Sequence, residues 1–470
     1  MVDAADFSRL IIDNLHYQPT GQQVALIDAL SRFCNSPQGP DNEVFLLNGY
    51  AGTGKTSVVG AMVKALAAVG RRSVLLAPTG RAAKVFSRFA GHPAYTIHRR
   101  IYHTDPDSGE FNALAENTAR PGTVFIVDEA SMIGADNHVT CTSLLDDLIQ
   151  YVYMSDGCRL ILLGDTAQLP PVGCTESPAM SRDVLRSFGL KVTRVVLTAT
   201  VRQAVESGVL YNATWLRKAM RIDPLPVPQL TLSPFEDVEA VDGSDLPDEI
   251  ADAYARYGVE ETIVVTRSNR AATQYNLAIR NQILEREEML VPGELVMIAK
   301  NNYFWTSRIK GFDFIANGDI ARVVKVHGVE ERMGMKFADI ILAFPDRDIE
   351  LEVKVSLDAL ISDTPALSHD QMQQLVEVAI SDSERYPASI SVERRLKMLR
   401  YDPVFNALQI KYAYAVTCHK SQGGQWDSVF VDMGYIPPEA QGIDFYRWLY
   451  TSVTRAKKEV HFINPQLPVK

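Results

Sequence analysis

Nowhere in the 470 residues does an apolar run approach the ~20 residues that a membrane-spanning helix requires, so no such helix is expected. Cysteine is scarce. The five residues, Cys34, Cys141, Cys158, Cys174 and Cys418, are odd in number, scattered, and form no CxxC pair. That argues against a disulfide framework or a zinc site and for a reducing cytoplasm. The opening Met-Val-Asp-Ala-Ala-Asp has no basic region leading into an apolar one, so no export signal is expected. Tandem repeats and low-complexity tails are absent. Positive charge is also in deficit, with 47 Lys and Arg against 57 Asp and Glu, a net charge of −10 and a pI near 5.5. On average this opposes nucleic-acid binding, because phosphate contacts need cations. The average conceals a local exception: from Arg71 to Arg100 the chain carries Arg71, Arg72, Arg81, Lys84, Arg88, Arg99 and Arg100 with no Asp or Glu among them. Such a run is either a solvated basic face or part of a groove for an anionic polymer.

The length is too great for one ordinary core and predicts two to four domains. Short apolar runs at Val44–Leu47, Val74–Ala77, Val124–Val127 and Leu160–Leu163 alternate with helical stretches, the pattern of a parallel sheet with right-handed crossovers. A second set, Ile263–Thr266, Tyr412–Val416, Val429–Val431 and Val460–Ile463, predicts a second α/β unit of the same kind. Between its two parts the texture changes. Gly293–Ile298, Gly318–Val326 and Phe337–Phe344 read as short strands joined by turn signals, followed by helical stretches over 368–379 and 392–400. The chain thus has two interruptions, one near 99–121 and one near 291–410.

Gly49-Tyr50-Ala51-Gly52-Thr53-Gly54-Lys55-Thr56 fits G-x-x-x-x-G-K-[ST], after an apolar strand and before a helical run. Glycines at Gly52 and Gly54 let backbone N–H groups, with those of Thr53 and Ser57 at the helix start, turn toward phosphate oxygens. Lys55 is then expected to reach the β- and γ-phosphates of ATP and the Thr56 hydroxyl to bind Mg²⁺. Downstream, the strand Val124–Val127 ends in Asp128-Glu129. Asp128 is placed to hold Mg²⁺ and Glu129 to orient and deprotonate the attacking water. A third strand ends in Gly164-Asp165-Thr166-Ala167-Gln168, where Gln168 can hydrogen-bond a γ-phosphate oxygen or that water; a plain Pro-bounded turn is the equal alternative from this segment alone.

Taken together, these segments resemble the helicases of superfamily 1, and within it the RecD-like and Dda-like class, in family order from Gln18 to Asn464. The resemblance implies a role for each of several further segments. Gln23 in Thr20-Gly21-Gln22-Gln23 would recognise adenine. Pro78, Thr79, Arg81 and Lys84 in Leu76-Ala77-Pro78-Thr79-Gly80-Arg81-Ala82-Ala83-Lys84, and His98 in Thr96-Ile97-His98, would contact DNA. Arg202 in Leu197-Thr198-Ala199-Thr200-Val201-Arg202-Gln203 and Arg455 in Tyr450-Thr451-Ser452-Val453-Thr454-Arg455 would engage the γ-phosphate, Arg455 as arginine finger. In Ala415-Val416-Thr417-Cys418-His419-Lys420-Ser421-Gln422-Gly423, Thr417, His419 and Lys420 would meet the nucleic-acid backbone, while Ser421, Gln422 and Gly423 would begin a helix coupled to nucleotide. Asn269, Asn276 and Arg280 also match, without an assigned contact.

The implied fold is two RecA-like parallel-sheet domains, the first over 1–200 and the second over 201–290 plus 411–470. A β-rich SH3-like insert with a helical extension would occupy 291–410 of the second, and a small strand-separating hairpin about 99–121 of the first. The turn Asp105-Pro106-Asp107-Ser108-Gly109 would close that hairpin, and Phe111 or Tyr102 would serve as an aromatic wedge or, equally, pack in the core. The implied activity is ATP- and Mg²⁺-dependent DNA unwinding with travel 5′ to 3′ on single strands. An RNA helicase of the same superfamily, or an ATP-gated clamp that displaces proteins without unwinding, is the alternative. Expected partners are single-stranded DNA and duplex junctions, with single-strand-binding or replication and repair proteins as accessories. A monomer is expected, in the cytoplasm of its own cell or, if phage-encoded, of the host.

Overall fold

The structure, a computed structural model, describes residues 3–36, 42–104, 111–134, 142–199, 206–307, 309, 312, 314–345, 349–381, 386–387 and 389–470. Its first sheet has six parallel strands in the order Ala94–Thr96, Ser73–Ala77, Val124–Val127, Arg159–Gly164, Glu43–Gly49 and Lys191–Leu197. The near-continuous apolar runs expected in the sequence are its four central strands. Each faces two cores at once. Phe45, Leu47, Ile126, Ile161 and Leu163 point into one hydrophobic cluster, and Val44, Leu46, Phe125, Val127, Leu160 and Leu162 into the other. Alternation across the pleat with both faces apolar is what a parallel sheet covered by helices demands.

The second sheet is also parallel, in the order Ala415–Thr417, Thr262–Thr266, Trp426–Asp432, Ala456–Ile463 and Val238–Val241. The β-rich stretch closes into a five-stranded barrel of Leu295–Ile298, Ile320–Arg332, Met335–Phe344, Ile349–Ser356 and Leu408–Tyr412. One expectation needs correction here. The run 412–416 is not one strand: Tyr412 ends the last strand of the barrel, and Ala415 begins an edge strand of the second sheet. Both pieces are buried and apolar, so periodicity alone cannot register the change of sheet.

Barrel and second sheet share a continuous core, in which Val296, Ile340 and Val353 of the barrel join Val264, Val429 and Phe462 of the sheet. A buried ionic knot reinforces the joint. Arg280 donates to both carboxylate oxygens of Glu294 at 2.9 and 3.1 Å, Tyr414 donates to Glu294 at 2.8 Å, and Arg280 lies over the Tyr412 ring at 4.4 Å. Asn276 ties the same helix to the sheet, accepting from the N–H groups of Tyr414 and Ala415 and donating to the Ala415 carbonyl. Asn276 and Arg280 are therefore braces. In the first interruption, Tyr102–Thr104 and Phe111–Leu114 form an antiparallel pair. The turn of residues 105–109 and the side chain of Phe111 lie outside the described residues. Tyr102 is buried and donates to Asp147 at 2.6 Å, so of its two expected roles the structure supports core packing.

Candidate nucleotide and nucleic-acid site

The Gly-rich loop leaves the C-terminal end of the Glu43–Gly49 strand and enters the Lys55–Ala68 helix. Gly52 and Gly54 adopt φ of +72° and +75°, a left-handed conformation that a side chain would resist. No side chain caps this helix, so its first N–H groups are left for an anion. A Cβ on Gly49 would come within 3.0 Å of Lys55 Cβ and Cδ, which shows Lys55 folded back across the loop. The loop is held from inside: Thr53 donates its hydroxyl to the Tyr50 carbonyl at 2.7 Å.

Asp128 and Glu129 follow the strand Val124–Val127, two places along the sheet from the loop strand. Glu129 has φ +53° without being glycine, a strained backbone of the kind found where a side chain must be aimed. Its N–H donates to Asp128 Oδ1 at 2.9 Å. Burial, and then the neighbouring Glu129 charge, push Asp128 up to about 6, while Lys55 and the Thr56 hydroxyl pull it down. Among the described residues, Glu129 Oε2 and Gln168 Oε1 are buried with no hydrogen-bond partner. Two orphaned acceptors beside a phosphate loop mark the place of a bound group. The donor set also suits Mg²⁺, which takes few protein oxygens and keeps waters and phosphate: Thr56 hydroxyl and Asp128 carboxylate are neighbours here.

The second domain supplies the facing wall. Thr56, Asp128, Glu129 and Gln168 line a cleft of roughly 390 Å³ together with Gly423, Gly424 and Arg455. Arg455 is buried and anchored at three points, by Nε to the Thr451 carbonyl at 2.9 Å, Nη1 to the Gly424 carbonyl at 3.1 Å and Nη2 to Thr454 Oγ1 at 3.2 Å. Two of the five donors of an arginine fork remain for an anion. Lys55 and Arg455, 400 residues apart in the chain, thus face one space.

Further contacts beside this cleft tie its two walls together in ways the sequence reading did not assign. Tyr450, buried on the Ile443–Val453 helix of the second domain, accepts the Ala51 N–H of the phosphate loop at 2.9 Å and donates to Asp165 Oδ2 at 2.6 Å. The Leu169 peptide, next to Gln168, is held at both ends from the second domain: its N–H donates to Thr451 Oγ1 at 2.8 Å and its carbonyl accepts from Gln422 at 2.8 Å. Arg217 lies over the Tyr50 ring at 4.4 Å and donates to the Thr198 carbonyl. The signal was present in part, since Tyr450, Asp165 and Gln422 all stand inside the segments singled out above. What the chain could not display is that they meet.

The remaining candidates are distributed as follows. Gln23 is buried as the third residue of the Gly21–Asn35 helix; its side-chain Oε1 accepts from Thr20 N–H, and its Nε2 donates to the Thr53 carbonyl at 3.0 Å and to the Tyr17 hydroxyl. It therefore braces the phosphate loop. Arg202 lies outside the described residues. Thr79 N-caps the Gly80–Ala90 helix and, beside half-buried Pro78, sits across the seam from Gly423, whose imagined Cβ would be 3.3 Å from its hydroxyl. Arg81 reaches the second domain, with its guanidinium 4.0 Å above the Trp426 ring. Lys84 is exposed and lines a groove of roughly 420 Å³ with Arg88 and Arg99, opposite Phe314, Ile320 and Phe344 of the barrel unit. His98 is half-buried with its ring 5.7 Å from that of Tyr102. Thr417 is buried at the start of the Cys418–Ser421 helix, His419 is exposed, and Lys420 is half-buried with Nζ 3.4 Å from the Pro365 carbonyl. That helix is one turn long and ends where the sequence reading had it begin: Gln422 is its C-cap, and Gly423, at φ +73°, turns the chain into the cleft. Among the described residues, no helix is long and apolar enough to cross a membrane.

Comparison with known proteins finds relatives of this chain. Residues 25–220 match the AAA domain family and residues 412–463 the UvrD-like helicase C-terminal domain. The chain is similar to the ATP-dependent DNA helicase dda of Enterobacteria phage T4, at 22% identity over 89% of this chain and 93% of that one. It is also similar to the ATP-dependent RecD2 DNA helicase of Deinococcus radiodurans, at 30% identity over 37% of this chain and 21% of that protein. Among solved structures, a Pif1 helicase from Bacteroides in complex with ADP-AlF3 and ssDNA matches at a TM-score of 0.48 and 17% identity, covering 96% of this chain and 93% of that one. The chain belongs to the superfamily 1 helicases, in the class that holds the RecD- and Dda-type enzymes.

Proposed function

We propose that this protein hydrolyses Mg²⁺-ATP between its two α/β domains and uses the closing and opening of that cleft to travel 5′ to 3′ along single-stranded DNA and separate duplex ahead of it. The observation that carries the reading is the shared cleft: Lys55, Thr56, Asp128, Glu129 and Gln168 on one wall, Arg455 on the other. Lys55 and the bare N–H groups of its helix hold the phosphates, and Asp128 with Thr56 would hold Mg²⁺, which supplies charge neutralisation at the phosphates when bound. Glu129 takes the proton of the attacking water, and Gln168 accepts from that water or donates to the γ-phosphate. Arg455 stabilises charge on the transferred group and draws the second domain in; loss of that group releases it. Direction, the monomeric state and the DNA contacts of Thr79, Lys84, His98, Thr417, His419 and Lys420 belong to this proposal, supported by family membership.

The test is unwinding of duplexes carrying a single 5′ or 3′ tail, with ATP and Mg²⁺, run beside ATPase stimulation by single-stranded DNA and RNA. Unwinding of the 5′-tailed substrate alone, with DNA the stronger activator, is expected. Unwinding from the 3′ tail overturns the direction, stronger stimulation by RNA overturns the substrate, and ATPase without unwinding of either tail reduces the function to a translocating clamp.

A further inference from the structure

Arg81 stands in the acid-free basic run and in a segment that the family resemblance gives to DNA, yet its guanidinium is stacked on a side chain of the second domain. It lies 4.0 Å over the ring of Trp426, a residue of the second domain that is only 2% exposed. The fit leaves no slack. A Cβ on Gly424 would come within 2.7 Å of both Arg81 Cζ and the Trp426 ring, so only glycine lets the two side chains stack there. Both Gly424 and Trp426 are in turn bonded to Arg455. The Gly424 carbonyl accepts from Arg455 Nη1 at 3.1 Å, and the Trp426 N–H donates to the Arg455 carbonyl at 2.9 Å. Arg81 is itself in the first turn of the Gly80–Ala90 helix, whose cap is Thr79 and whose exposed face carries Lys84. An unbroken set of contacts therefore runs from the arginine in the nucleotide cleft, through Gly424 and Trp426, to the helix expected to hold the nucleic acid.

We propose that Arg81 is a positioning residue that couples nucleotide state to DNA grip through Trp426, and that it is not a phosphate contact. The inference rests on the helicase reading above. A cation over an indole face tolerates small sliding but not separation, and for a half-buried guanidinium such as Arg81 its loss is worth about tenfold in an equilibrium. Movement of Arg455 toward a γ-phosphate shifts the Gly424–Trp426 segment, and the stacked guanidinium carries that shift to the helix bearing Thr79 and Lys84.

The experiment measures the ratio of ATPase rates with and without saturating single-stranded DNA, each variant against its own unstimulated rate, together with the salt dependence of DNA binding. Arg81→Gln is expected to lower the ratio about tenfold, with the slope of log affinity against log salt unchanged. Arg81→Lys, which keeps a cation over the ring, retains most of the ratio. Trp426→Leu lowers it as Arg81→Gln does, and the double variant lowers it no further, because the two act as one contact. Trp426→Phe, a smaller perturbation of a buried site, gives a partial loss if the leucine variant does not fold. A salt slope reduced by about one contact in Arg81→Gln, with the stimulation ratio intact, makes Arg81 a phosphate ligand and overturns the proposal. Additive losses in the double variant overturn it too. If the wild-type ATPase is not stimulated by DNA at all, it is the helicase reading that fails, and the coupling fails with it.

Discussion

Replacing Tyr450 with phenylalanine removes one oxygen from the seam between the domains and leaves the ring in place. That oxygen accepts from the Ala51 N–H and donates to Asp165, so its loss strips one partner from the phosphate loop and one from a fully buried carboxylate. Asp165 keeps the Ala167 N–H at 2.9 Å. A hydrogen bond to a charged group contributes roughly 1.5–3 kcal/mol, and a buried amide left without a partner costs about 1–3 kcal/mol. Water entering the seam recovers part of this, which leaves about 2–3 kcal/mol, or a factor of roughly 30–150 in the equilibrium between engaged and disengaged walls. Burial already raises the Asp165 carboxyl, and Lys55 and the Tyr450 hydroxyl oppose it, so the substitution raises it further. Because the bonds cross between domains, the effect belongs to catalysis more than to the core of either domain. Steady-state ATPase at saturating DNA should show kcat/KM for ATP down by at least about tenfold, with circular dichroism unchanged. A Tyr450→Phe enzyme within about twofold of wild type in kcat/KM shows that the hydroxyl does not support the loop, and refutes the reasoning.

Three further outcomes follow from other parts of the molecule. Glu129→Gln keeps the shape of the orphaned acceptor but not its basicity, so it should bind ATP with near-native affinity and lose about 10²–10⁴-fold in turnover, checked by equilibrium binding beside single-turnover hydrolysis. Glu294→Ala leaves Arg280 buried without its carboxylate; about 3–5 kcal/mol should be lost, seen as a lower midpoint in chemical denaturation. Lys411 is pushed down to about 8, by burial first and then by Lys420. The folded state thus binds fewer protons than the unfolded one between about pH 8 and pH 10.5, and this lysine's cost to stability, full at neutral pH, is relieved as pH rises through that window. Lys411→Met should raise the melting temperature at pH 7 by roughly 2–4 °C and lose that advantage by pH 10. An advantage that grows with pH contradicts the assignment.

The legible parts of this protein share a physical reason. The phosphate loop, the strand ending at Asp128 and the four central strands of the first sheet combine local geometry with fully buried apolar runs, and both leave a local trace. Strand Lys191–Leu197 left a weak one, because it is an edge with Lys191, Thr193 and Arg194 exposed and reads as a polar connection. Ala94–Thr96 is too short to show a period. The site divides in the same way. Lys55 and Glu129 are fixed by their own neighbours in sequence, whereas Tyr450 meets Ala51 across 399 residues and Arg81 meets Trp426 across the domain seam. The family resemblance implied a DNA contact for Arg81, and only packing reveals the indole beneath it.

The Gly80–Ala90 helix has two occupied flanks. Ala82, Val85 and Phe89 look into the nucleotide cleft, while Ala83, Lys84, Ser87 and Arg88 look into the groove beneath the barrel, on nearly opposite sides of the cylinder. Both spaces are roofed by the same rigid unit, since barrel and second sheet share one core and the Arg280–Glu294 knot. That unit faces the helix from both sides. Any shift of that unit which changes the width of the nucleotide cleft is therefore also felt in the groove beside Lys84 and Arg88.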